Sequence, residues 1–83
     1  MNLEILTPDK KVFSGEVVSV TVPGIAGSFQ ILENHAAIIS TLDDGPVKVG
    51  FADKSIQVFE IQGGAVEVLK NKVTVLTKGV TEV

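Results

Sequence analysis

The sequence predicts an all-β fold, an antiparallel sandwich or flattened barrel formed by a single domain over residues 1–83. Three observations predict it. Apolar residues alternate with polar ones at strand period, no segment carries a helical face, and turn signals recur roughly every 8 to 12 residues.

Taken in order, Leu3 to Leu6 opens the chain as a strand and Pro8-Asp9-Lys10 ends it. Glu16 to Val22 places Val18, Val20 and Val22 on one side of a second run, closed by Pro23-Gly24. Ala36 to Leu42 fits a buried strand or a single helical turn equally well by period, and β-branched Ile38, Ile39 and Thr41 favour the strand. After Asp43-Asp44-Gly45-Pro46 come Val47 to Phe51, the turn Asp53-Lys54, and Ile56 to Ile61. In that last run the apolar phase slips between Val58 and Phe59, which predicts a bulge or a stretch covered on both faces. Gly63-Gly64, Ala65 to Leu69, Lys70-Asn71 and Val73 to Thr77 complete the pattern. Pro23, Gly24, Gly63 and Gly64 are read as structural, each setting a turn or bulge.

Composition narrows the function. With 83 residues, 45% of them apolar, the chain buries roughly 60 to 65% of its unfolded surface, enough for a core but little for an enclosed active site. It has no cysteine and one histidine, which excludes disulfides, thiolate metal sites and a histidine-built zinc site. The net charge of −3 and the lack of a basic cluster beyond Lys10-Lys11 argue against nucleic acid as a partner. The first residues have neither a basic segment nor a long apolar one, so a soluble chain without signal peptide or membrane-spanning helix is expected.

Candidate sites are few. His35 as a general base would need a nucleophile and an orienting partner, and no such signature accompanies it; a turn whose imidazole bonds nearby backbone, or an interface role, is the expected reading. Asp43 and Asp44 before Gly-Pro are the residues of a solvated turn that bonds its own backbone. Gly24-Ile25-Ala26-Gly27 lacks the Lys-Ser/Thr and the helix that a phosphate loop needs. No catalytic, metal or cofactor site is expected. Lys54 supports an alternative, because lipoyl and biotinyl carriers place a modified lysine on a hairpin tip of a flattened barrel; a generic protein-binding sandwich is the further alternative.

The stretch from Pro23 to Ser40 resembles the ε subunit of bacterial and chloroplast F-type ATP synthases. The match includes Phe13-Ser14-Gly15, Pro23-Gly24, Gly27 to Leu32, Asn34-His35-Ala36 with Ile38-Ile39-Ser40, Gln62 to Val68, and Asn71 to Leu76. Their order and spacing carry the resemblance over essentially the whole chain. It implies a sandwich of about ten short strands and a non-catalytic rotor role. The domain would bind the γ subunit and the polar loops of the c-ring, coupling proton-driven rotation to ATP synthesis without a cofactor. Gly27, Ser28, Phe29, Gln30, Ile31 and Leu32 would face the c-ring, and Asn34, His35, Ala36 and Ser40 would face γ. The chain would sit peripherally at the cytoplasmic side of a bacterial inner membrane, or on the stromal side of a thylakoid membrane if organelle-encoded.

The sequence departs from the family pattern twice. His35-Ala36-Ala37 stands where most members read His-Ala-Pro, which loosens the backbone of that turn. The chain also stops at Thr81-Glu82-Val83, where the usual subunit continues into a helical hairpin. The ATP binding and restraint of hydrolysis that the hairpin gives some relatives are therefore not expected of it.

Overall fold

A computed structural model describes all of residues 1–83. Ten strands account for the regular structure: β1 (Asn2–Leu6), β2 (Lys11–Glu16), β3 (Ser19–Gly24), β4 (Gly27–Leu32), β5 (Ile38–Leu42), β6 (Gly45–Gly50), β7 (Ile56–Ile61), β8 (Gly64–Leu69), β9 (Lys72–Leu76) and β10 (Val80–Glu82). They form one continuous sheet in the order β10-β7-β6-β3-β5-β8-β9-β1-β2, with β4 paired to β3 off that path.

The sheet becomes a flattened barrel because β3 changes neighbours along its length. Ser19 to Thr21 pair with Gly50 to Lys48 of β6, whereas Gly24 pairs with Leu42 of β5. Pro23 lies at the changeover, where its missing N–H breaks no ladder bond and its carbonyl accepts from the Asp43 amide at 2.8 Å. The two halves fold over one apolar layer. Leu3, Ile5, Val20, Val22, Ile31, Val47, Val49, Val66, Val73 and Val75 are completely buried there. Phe13 of β2 meets Phe59 of β7 edge-on at 5.6 Å and so closes the far side.

Ten strands and an all-β barrel match the expected class, with specific corrections. The pairing is not wholly antiparallel, because the β1–β2 hairpin lays β1 alongside β9 in parallel register from Asn2↔Lys72 to Leu6↔Leu76. The run from Glu16 to Val22 is not one strand. Val17 turns inward at 2% exposure with its amide on the Met1 carbonyl, and Val18 points outward at 39% while its amide bonds the Gly50 carbonyl. The bend at Val17-Val18 therefore removes Val18 from the row that Val20 and Val22 share.

No bulge separates Val58 from Phe59, since the β6–β7 register runs unbroken from Gly45↔Ile61 to Gly50↔Ile56. Phe59 fills the core and Val58 is half-buried on the opposite face, so the stretch is partly covered on both sides. The register shift lies instead between Ile5 and Leu6, opposite β2.

Candidate functional site

Strand β4 is an edge: it pairs with β3 from Gly24↔Gly27 to Ser19↔Leu32 and with nothing else. Its period-2 alternation splits the residues assigned to the c-ring. Phe29 and Ile31 sit opposite Val22 and Val20 and point to the core, Ile31 completely buried and Phe29 packed against it. Gly27, Ser28, Gln30 and Leu32 remain exposed. Ile31 therefore cannot face a partner, because its whole side chain is spent on the core. Gly24 is required by the same arrangement. A Cβ there would stand 2.9 Å from the Phe29 ring and 2.7 Å from the Gly27 carbonyl oxygen, while the positive φ of 131° falls on Gly27.

The chain leaves β4 through a turn from Leu32 to His35, in which the His35 amide donates to the Leu32 carbonyl at 3.1 Å. Asn34 takes φ 61°, a left-handed conformation that asparagine tolerates better than most side chains. His35 Nδ1 lies 2.7 Å from the Ala36 carbonyl, so the imidazole donates to adjacent backbone as the turn reading expected.

Beyond the turn, β5 alternates with Ile38, Ser40 and Leu42 inward and Ile39 and Thr41 outward. Ser40 pairs with fully buried Val66 and so points to the core side, which withdraws it from the surface assigned to γ. Its neighbour Ile39 points outward at 77% exposure. Across the same outer face lie exposed Leu69 and Leu76, and Leu76 borders a shallow apolar hollow of about 370 Å³ with Leu6, Ala65 and Thr77.

The turn is anchored from a distance by groups that strand periodicity does not reveal. The Asn34 amide donates to Asn71 Oδ1 at 2.9 Å, Asn71 Nδ2 donates to Glu33 Oε2 at 3.2 Å, and the Met1 ammonium donates to Glu33 Oε1 at 2.6 Å. Asn71 can reach because Lys70 and Asn71 both have positive φ, 49° and 63°, as a two-residue hairpin with the sheet's twist requires. The bond from the ammonium, then that from Asn71, holds the Glu33 carboxyl below the usual glutamate range. The same carboxylate raises the α-amino group above its ordinary value, with Glu16 adding to it.

The other candidates resolve into turns. Asp43 accepts the Asp44 amide at 2.8 Å, as expected of a solvated turn. Lys54 does occupy the β6–β7 hairpin tip, at φ 72°, its amide on the Phe51 carbonyl at 2.9 Å. Ser55 donates hydroxyl and amide to Asp53, which lowers that carboxyl. Gly63 and Gly64 have φ 62° and 132°, and Gly64 lies directly against the Leu76 carbonyl. No group of three or more histidine, aspartate or glutamate side chains is placed to hold a metal ion.

The family model for the ATP synthase delta/epsilon chain, β-sandwich domain, matches residues 1–83. The chain belongs to that family. The ATP synthase epsilon chain of Chlorobium limicola is 47% identical over 79 residues, 95% of this chain and 90% of that one. The epsilon chain of Sulfurimonas denitrificans is 42% identical over the same length, which is only 61% of it. Among solved structures, a chain of the Euglena gracilis mitochondrial ATP synthase (OSCP/F1/c-ring) superposes with a TM-score of 0.91 at 21% identity, over 96% of this chain and 51% of that one. A chain of the Tetrahymena thermophila mitochondrial ATP synthase central stalk/c-ring superposes at 0.82, again at 21% identity, over 96% of this chain and 64% of that one. At that identity both likenesses speak to the fold alone. As a member of this family the chain is a subunit of the ATP synthase complex and not itself its catalyst. Family membership leaves the carrier reading of Lys54 without support.

Proposed function

We propose that the chain is a rotor subunit of the ATP synthase central stalk, docking the γ subunit and the c-ring and passing rotation from ring to γ. The observation that carries this reading is the unpaired edge of β4, continuous with a turn pinned by residues far away in sequence. An open edge left flat and unprotected invites pairing with other chains, so its presence on a small domain suits a strand covered in an assembly.

In this reading Gly27, Ser28, Gln30 and Leu32, with Ile25 at the hairpin tip, face the c-ring. Asn34, His35 and Ala36 face γ, and that surface continues over Ile39 toward Leu69. Aliphatic groups ringed by short polar ones are the composition of a protein interface. Two interfaces of roughly 800 Å² each would cover about a third of the chain's 4819 Å² surface.

The chain has no helix long and apolar enough to cross a membrane. Its place at the membrane is peripheral and held through its partners, on the cytoplasmic side in a bacterium or the stromal side of a thylakoid. The test is replacement of Ser28 or Gln30 by arginine. Association with the c-ring should fall at least tenfold while the melting temperature moves by no more than a few degrees, because both side chains are exposed. Equal loss of binding and stability would contradict the assignment.

A further inference from the structure

The free edge of β4 differs from the other two edges of the sheet. Strand β2 carries Lys11 and Glu16 and has a register shift opposite it, and β10 carries Glu82. Charges and irregular pairing of this kind keep strand edges from joining other chains. Strand β4, Gly27-Ser28-Phe29-Gln30-Ile31-Leu32, has no charge, no proline and an unbroken register with β3. Its backbone groups can be assigned to sides. Gly24 and Gly27 flank a two-residue turn, so they form a hydrogen-bonded pair, and alternation makes Val22↔Phe29 and Val20↔Ile31 bonded pairs as well. Pro23↔Ser28 and Thr21↔Gln30 are the non-bonded pairs, in agreement with the Pro23 carbonyl, which turns away from β4 to the Asp43 amide. Ser28 and Gln30 therefore aim N–H and C=O out of the free edge. Leu32 shares their phase, but its carbonyl is already taken by the His35 amide at 3.1 Å.

We propose that β4 pairs antiparallel with β4 of a second copy of this chain, about a two-fold axis between the two Phe29 residues, and that this dimer covers the edge outside the assembled rotor. The edge is self-complementary in that register. Ser28 of each copy exchanges N–H···O=C bonds with Gln30 of the other, which makes four bonds from groups that have no partner within the chain. Phe29 meets its own copy at a non-bonded position, where side chains stand closest, and each half-buried ring covers the other. Setting Gln30 against Gln30 instead would bring Ser28 to the Leu32 carbonyl that His35 occupies. The dimer uses the strand assigned above to the c-ring, so the two states exclude each other; that exclusion rests on the rotor reading, and the dimer does not.

The test is sedimentation equilibrium of the 83-residue chain alone, with interference optics because the chain has no tryptophan or tyrosine. An interface below about 1,200 Å² associates weakly, so concentrations are carried up to on the order of 1 mM. The weight-average mass should rise from one chain toward two. Amide exchange followed by NMR over the same range should slow at Ser28 and Gln30 by roughly fivefold or more, and change little at Phe29 and Ile31, whose amides are bonded to β3. Gln30→Pro removes a donor that only the dimer uses, and Ser28→Lys combined with Gln30→Lys sets like charges opposite each other across the axis without touching the β3 ladder. Both should remain monomeric. A wild-type mass of one chain throughout would overturn the proposal, as would a dimer that survives in the lysine variant or protects other amides. Purified c-ring should draw the chain out of the dimer. Ring-bound chain that keeps the second copy would overturn the exclusion, and a chain that dimerises but never binds the ring would count against the rotor reading while the dimer stands.

Discussion

Replacing Gly64 by alanine separates backbone strain from steric conflict, because Gly27 supplies a matched control. The two glycines have nearly the same φ, 132° and 131°, so alanine meets a conformational penalty of similar kind at both. That penalty is of order 1–3 kcal/mol, offset in both cases by the roughly 0.4–1 kcal/mol gained from a stiffer unfolded chain. The surroundings differ completely. A Cβ at Gly27 meets nothing within 4 Å, whereas one at Gly64 would lie 1.9 Å from the Leu76 carbonyl oxygen. Relief to a bare 3.0 Å contact requires β8 and β9 to part by about 1.1 Å at Ala65↔Leu76, and both are central strands. Overpacking of this kind adds about 1–3 kcal/mol, against a total stability of roughly 4–12 kcal/mol for a domain of this length. A difference of about 2 kcal/mol separates melting temperatures by roughly 8–16 °C. The chain has no tryptophan or tyrosine, so circular dichroism or calorimetry is the appropriate assay. Equal melting temperatures for Gly64→Ala and Gly27→Ala would refute the close approach of β8 to the Leu76 carbonyl.

Glu33→Gln should change the shape of the stability–pH curve at both ends. The lowered Glu33 carboxyl contributes stability present above about pH 4.3, the unfolded value, and lost as pH falls through its folded pKa; the raised amine contributes stability present below about pH 8 and lost as pH rises through its own. The deficit of the variant, measured by urea unfolding, should therefore be largest between about pH 5 and 7 and shrink on either side; a pH-independent deficit would contradict the pairing. Ile31→Ala should cost about 2–5 kcal/mol as a core truncation, while Ile39→Ala should stay within about 0.5 kcal/mol and weaken γ binding severalfold, both read by unfolding and titration. Intact mass of the chain co-expressed with lipoyl and biotin ligases should show no adduct, and an adduct on Lys54 would restore the carrier reading.

The strands most legible in the sequence are those with a buried row and a wet row. Ile56 to Ile61 coincides with β7, and the runs at Val47, Ala65 and Val73 locate β6, β8 and β9 to within a residue or two. Strands β2, β4 and β10 leave weak signals because each runs along an edge. Strand β4 buries only Ile31 fully, and β10 has three residues with none fully buried. The resemblance located the Gly27–Leu32 segment, but only the register shows which of its side chains are outward. The same holds for Ser40, whose phase is set by pairing with Val66 and not by its neighbours in sequence. The anchoring of the Asn34-His35 turn was not legible at all, because its contacts join residues 32, 37 and 38 positions apart. Met1, Glu33 and Asn71 are unremarkable in a linear reading and become a unit only when the sheet closes.

The most direct test of a rotor role is co-purification of the 83-residue chain with recombinant γ subunit from the same source, followed by mass determination on the size-exclusion peak. A stable one-to-one complex, weakened by Ile39→Ala and unaffected by changes at Lys54, is the expected result. No complex at micromolar concentrations of both proteins would contradict the account.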